Sequence, residues 1–218
     1  MIGARHRTAP PPRAVPGPRG TTLSTQRSTG RELAQIATFA GIIAVLGLIP
    51  AVAPFGNAVP ITALSLGIML AGAVLGARRG ALAVLVLLAL VALGLPLLAG
   101  GRGGLGVFAG PSVGYLIGWP IAAWAIGAMT NAMGAPYRVA PAIGINVLGG
   151  VLLLNLLGVI GMVLRADLTT GAALVAAAPF VPGDLAKAVI CAFVAKGVHA
   201  AYPGLIRTRR AERADARV

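Results

Sequence analysis

Residues 139–164 read VAPAIGINVLGGVLLLNLLGVIGMVL, without a charge from end to end and apolar apart from two asparagines. That is longer than the ~20 residues needed to cross a ~30 Å hydrocarbon core, and a helix of this kind is at home only in a bilayer. The surplus length predicts either a tilt or a break near Gly149-Gly150.

Comparable runs lie on both sides of this stretch: 33–52, 60–77, 81–98, 112–133, and a last one from near Gly183 to Tyr202-Pro203. Pro50, Pro54 and Phe55-Gly56-Asn57 close the first run, and Arg78-Arg79-Gly80 divides the second from the third. Between the fifth and the last, residues 165–181 contain Asp167 and a small-residue run too short to count as a span. The expectation is an all-α membrane protein of about six transmembrane helices, with residues 32–204 forming one membrane domain. Residues 1–31, rich in Pro, Gly, Ser, Thr and Arg, read as a disordered basic tail, and 205–218 as a second basic tail.

Composition agrees. Of 218 residues, 57% are hydrophobic and 11% charged, with a mean hydropathy of +0.89, whereas a soluble globule carries about a quarter charged residues. The net charge of +13 comes mostly from arginines in the tails, so a membrane surface explains it better than nucleic acid. With six spans, both tails share one side together with Arg78, Arg79 and Arg138, against Arg102 and Arg165 opposite. The positive-inside rule then places both termini in the cytoplasm of a multi-pass cell-membrane protein. Cys191 is the sole cysteine, which excludes an intramolecular disulfide and a multi-cysteine zinc site and suggests a small buried apolar residue.

No GxSxG, HExxH or Walker A string is present, and only Asp167 and Asp184 of the five acids fall between or within spans. The reading is of a non-enzyme with no cofactor and no metal, any ATP hydrolysis residing on partner subunits.

The chemistry-bearing stretch is Pro179-Phe180-Val181-Pro182-Gly183-Asp184-Leu185-Ala186-Lys187. Three residues is close to one helical turn, so Asp184 and Lys187 leave one face and address each other or one ligand. Asp184 also suits a helix N-cap, and Lys187 a snorkelling amine paired with it. Arg102 stands alone in the glycine-dense loop 95–111, as a solvated charge or a ligand contact. Tyr115 and Asn155 are candidates for lining a site or for contacts between helices. Lys196 and His199 read as snorkelling, Trp119 and Trp124 as packing. In the first span, Ala37 with Gly41 and Ala40 with Ala44 offer small-residue faces for close approach of another helix.

In combination and order, Val59-Pro60-Ile61-Thr62, Leu75-Gly76-Ala77-Arg78-Arg79-Gly80, Gly94-Leu95-Pro96 through Ala99-Gly100-Gly101 with Gly103-Gly104, Gly110-Pro111-Ser112-Val113-Gly114-Tyr115-Leu116-Ile117-Gly118, and Pro179-Phe180 with Pro182-Gly183-Asp184 and Lys187 are specific. They resemble the BioY proteins, the biotin-binding S components of energy-coupling factor (ECF) transporters, over roughly residues 36–202. The resemblance implies a six-helix S-component bundle with a small pocket near the outer face. It implies biotin as ligand of Asp184 and Lys187, with Tyr115 and Asn155 as further lining residues; Arg102 joins the candidates from its place in the glycine loop rather than from the resemblance. It also implies docking of a transmembrane coupling subunit on the small residues of the first span, with two ATPases supplying the work. Family members usually show Pro-Thr-Gly-Gly-Tyr-Leu where this chain has Pro111-Ser112-Val113-Gly114-Tyr115-Leu116, a branched side chain replacing a glycine at Val113. The alternatives are an S component for another small vitamin and, from a different class, an intramembrane enzyme or a passive pore.

Overall fold

The computed structural model describes residues 22–49, 62–203 and 205. Among these the chain is helical: α1 (Thr22–Gly47), α2 (Leu64–Leu75), α3 (Ala77–Ala92), a 3-10 turn (Leu105–Phe108), α4 (Val113–Met133), α5 (Val139–Arg165), α6 (Thr170–Ala177) and α7 (Phe180–Ala201). The expected breaks at Pro50, Pro54 and 55–57, the Val59-Pro60-Ile61 part of the motif, and residues 1–21 and 206–218 of the tails lie outside the described residues.

Among the described residues three helices, from α1, α4 and α5, are long and apolar enough to cross a membrane; α6 and α7, bent by 48° at their junction, add a fourth if counted as one span. At 1.5 Å per residue, α2 and α3 rise only about 18 and 24 Å, short of a ~30 Å core. The six expected helical units are therefore present, with the count approximate as a count of full crossings.

Several boundaries move. The first helix begins at Thr22, inside the stretch read as tail, because the polar residues ahead of Glu32 continue the helix beyond its apolar portion. Arg78-Arg79-Gly80 is not the connection between the second and third spans but the first turn of α3. The reversal falls at Gly76, whose φ of 79° glycine adopts without steric cost. The weak segment before the last span is a helix, α6, capped by the Thr169 hydroxyl accepting from Ala172 N at 3.3 Å. In α5, the break expected near Gly149-Gly150 is a π-helical stretch, Val147–Leu153, inside a continuous helix.

α4 is central, packing against α2, α3 and α5. In a bilayer, lipid is as apolar as a leucine, so helices associate through close packing and interhelical hydrogen bonds rather than hydrophobic burial. Glycines supply the close packing. A Cβ on Gly114 would meet the backbone of Leu157 and lie 2.7 Å from Gly161 Cα, so α4 and α5 cross backbone to backbone. Asn146 supplies the polar link: fully buried, it donates from Nδ2 to the Ala188 carbonyl at 3.0 Å and ties α5 to α7. Cys191 is buried, as its isolation in the sequence suggested. His199 does not snorkel; its Nε2 lies 2.9 Å from the Ala73 carbonyl and its ring stacks on Tyr137 at 4.8 Å.

Gly114→Val is expected to lower the melting temperature of the detergent-purified protein by several degrees or to prevent its recovery. Gly197→Ala, with open space around the added methyl, is expected to leave it unchanged or slightly raised, as followed by thermal unfolding fluorescence.

Candidate functional site

The N-terminal ends of α2, α4 and α7 meet at one end of the bundle, where they and the loop before α4 enclose a cavity of about 50 Å³. Each contributes a polar side chain because each helix starts there: Ser65 from α2, Ser112 and Tyr115 from α4, Asp184 and Lys187 from α7.

Asp184 is 4% exposed. Its Oδ1 accepts two hydrogen bonds, from the Ser65 hydroxyl at 2.9 Å and from Lys187 Nζ at 3.0 Å. Lys187 Nζ also donates to Ser65 Oγ at 2.9 Å and to the Thr62 carbonyl at 2.6 Å. An ammonium has three N–H donors, so these three acceptors use all of them. Among the described residues no hydrogen bond reaches Asp184 Oδ2, which leaves that lone-pair edge for a donor in the cavity. The capping reading of Asp184 fails: α7 starts at Phe180 and Pro179 is its N-cap, so Asp184 lies inside the helix.

Tyr115 is held at its hydroxyl, which donates to Asn155 Oδ1 at 3.2 Å, while its ring meets Phe180 at 5.6 Å between centroids. Asn155 does not line the cavity itself; it stands behind Tyr115 and donates from Nδ2 to Val151 O at 2.9 Å. Its reading as a direct lining residue is thereby replaced by a positioning one. Gly158, also on α5, leaves the space that the Tyr115 ring fills, since a Cβ there would overlap the ring.

Arg102 reaches the cavity from a tight loop closed by a bridge between Leu98 and Arg102, with Gly100 and Gly101 at φ 74° and 70°. Its Nε donates to Ala99 O at 3.1 Å, which fixes the plane of the guanidinium, and the two terminal amino groups make no hydrogen bond among the described residues. Val113 opens α4 buried and is not part of the cavity wall, so the branched side chain there does not narrow the site. Trp119, read as packing, is a wall residue together with Leu98, Leu154 and Phe180.

The small-residue pairs of α1 are separated. Ala37 and Gly41 are exposed on the outside of the bundle, whereas Ala40 is 3% exposed and Ala44 packs on the core. Ala40 and Ala44 therefore cannot form a docking face, because the bundle itself covers them: they lie only about 60° around the helix from Ala37 and Gly41, and the edge of the packed surface falls between the two pairs.

A family model described as the BioY family matches residues 21–204. The chain belongs to the BioY family. It is 46% identical over 189 residues to a protein named biotin transporter BioY from Rhodobacter capsulatus, covering 82% of this chain and 98% of that one. It is 43% identical over 179 residues to a biotin transporter BioY from Rhizobium etli, covering 79% and 95%. The fold matches a 2.1 Å crystal structure titled as the S-component for biotin from an ECF-type ABC transporter, with a TM-score of 0.76 and 30% identity over 80% of this chain and 93% of that one. These relatives are named as transporters, not enzymes.

In this BioY-family site the residue that sequence reasoning passed over is Ser65, a hydroxyl 119 positions away from the carboxylate it serves. The only available signal was its place three residues beyond Thr62 at the start of the second apolar run.

Removing one partner of a buried ion pair costs about 3–5 kcal/mol, because the other charge is stranded. Lys187→Met alone is accordingly expected to lower the melting temperature in detergent more than the double variant Asp184→Asn/Lys187→Met, a comparison that thermal unfolding of the three proteins decides.

Proposed function

We propose that this chain captures biotin at the outer face of the cell membrane and delivers it inward as the S component of an ECF-type transporter. The observation that carries the reading is the convergence, in a BioY-family bundle, of Asp184, Lys187, Ser65 and Arg102 on one cavity walled by aromatic and aliphatic side chains. Biotin presents two ureido N–H donors, a ureido carbonyl, an apolar thioether ring and a carboxylate. Asp184 Oδ2 accepts a ureido N–H, with Ser65 and Lys187 orienting the carboxylate through its other oxygen. Leu98, Trp119 and Phe180 receive the ring and the aliphatic tail. Because Lys187 already gives all three donors to protein acceptors, the biotin carboxylate falls to the terminal amino groups of Arg102, a planar fork suited to a carboxylate. Small-molecule pockets typically measure ~300–1,000 Å³, so a cavity of 50 Å³ must widen, and the glycine hinges at Gly100 and Gly101 make the Leu98–Arg102 loop the wall that moves.

The arginine bias supports an orientation with both termini cytoplasmic: Arg78, Arg79 and Arg138 lie at the end opposite the cavity. The exposed Ala37 and Gly41 give the transmembrane coupling subunit a face on which a helix approaches closely, with the ATPase pair beyond it. No cofactor or metal enters this reading; biotin is cargo.

Equilibrium binding of labelled biotin to the purified protein is the primary test, and absence of saturable binding to the unsubstituted chain sinks the proposal. Asp184→Asn and Lys187→Ala are each expected to weaken binding about 30-fold or more, as truncating one member of a buried charged pair does. Arg102→Gln should weaken biotin about tenfold while leaving biotinamide nearly unaffected; an equal loss for both ligands would remove Arg102 from the carboxylate. For the partner face, Ala37→Trp with Gly41→Trp should retain biotin binding but abolish co-purification with the coupling subunit, whereas Ala40→Trp should impair folding instead.

A further inference from the structure

A second concavity lies at the other end of the bundle, between the N-terminal half of α1 and the C-terminal ends of α2 and α7. This groove measures about 360 Å³, several times the cavity at Asp184. Its apolar surface comes from Phe39, Val74, Leu75 and Val198. Its polar rim is basic. Arg31 and Gln35, one helical turn apart on α1, both line it, and Arg79 reaches over from α3 to donate from Nη1 to Gln35 Oε1 at 3.0 Å. Arg31 thus lines the groove while Arg79 is tied to its rim through Gln35, and no Asp or Glu is among its described lining residues.

We infer that this groove binds an anionic phospholipid, the headgroup phosphate meeting Arg31 and Arg79 and one acyl chain lying along the apolar floor. Charge, shape and position all bear on the assignment. Two arginines without a lining carboxylate select a net negative headgroup over a zwitterionic one, whose ammonium they repel. The floor is apolar, formed by Phe39, Val74, Leu75 and Val198, a surface along which a flexible acyl chain can lie. The groove opens at the end of the bundle that carries Arg78, Arg79 and Arg138, where lipid headgroups lie beside a membrane helix bundle. The inference is independent of what occupies the Asp184 cavity.

The test is lipid retention in nanodiscs of phosphatidylcholine mixed with phosphatidylglycerol, read by native mass spectrometry. The unsubstituted protein is expected to retain phosphatidylglycerol over phosphatidylcholine about tenfold or more. Arg31→Gln/Arg79→Gln should lose that preference, and so should Thr38→Trp, which fills the groove from its exposed position on α1 without changing charge. Arg165→Gln, at the opposite end, should keep it, and the unfolding temperature of each variant in phosphatidylcholine alone reports its folding. Equal phosphatidylglycerol retention in the unsubstituted protein, the double arginine variant and Thr38→Trp overturns the inference. A photoreactive residue at position 38 in the assembled transporter gives an independent readout. An adduct of lipid mass supports the assignment, and an adduct to a polypeptide, whether a second copy or a partner subunit, refutes it.

Discussion

A carboxylate that is 4% exposed inside a membrane protein must be neutralised where it stands, and that requirement organises one end of this molecule. Lys187 provides the counter-charge from the next turn of the same helix, but an ion pair alone would leave two of its three donors unmet. Ser65 and the Thr62 carbonyl complete the set, so the start of α2 has to sit against the start of α7. The same arrangement spends every donor of Lys187 and both hydrogen-bonding roles of Ser65 while leaving an oxygen of Asp184 open to the cavity. Stability and recognition are therefore served by different edges of one side chain.

The helices around this pair are held by contact at very short range rather than by a hydrophobic core in the soluble sense. Gly114 and Gly161 bring the backbones of α4 and α5 together, and Gly158 clears the space into which the Tyr115 ring turns. Asn155, one turn before Gly158, then fixes the Tyr115 hydroxyl. One face of α5 thus both seats and orients a wall residue of the site. The π-helical stretch just before it changes the register of the helix, and with it which residues α5 presents at that level.

The two ends of the bundle differ in kind. At the Asp184 end, charges are internal and paired, and Arg102 is presented by a loop whose glycines take positive φ. At the other end, arginines ring the outside, and the concavity between α1, α2 and α7 is apolar with a basic rim. This asymmetry fits the proposed reading, in which a polar solute enters at the Asp184 end of the bundle.

Residue order alone determined that the chain is a helical membrane protein, because hydrophobic length is a local property and a bilayer has a fixed thickness. It also determined that Asp184 and Lys187 share a face, since helical geometry fixes which residues do so within one element, and its motifs determined the family. The extension of α1 back to Thr22, the short α2 and the reversal at Gly76 were not legible, because polar residues can continue a helix and a glycine's φ is set by what it must connect. Ser65 as a third member of the charged cluster, Asn155 standing behind Tyr115, and the outward turn of Ala37 and Gly41 but not of Ala40 belong to the tertiary structure. Spacing along a helix is written in the sequence, whereas the rotation of each helix about its axis and its depth beside its neighbours are decided only when all of them pack together.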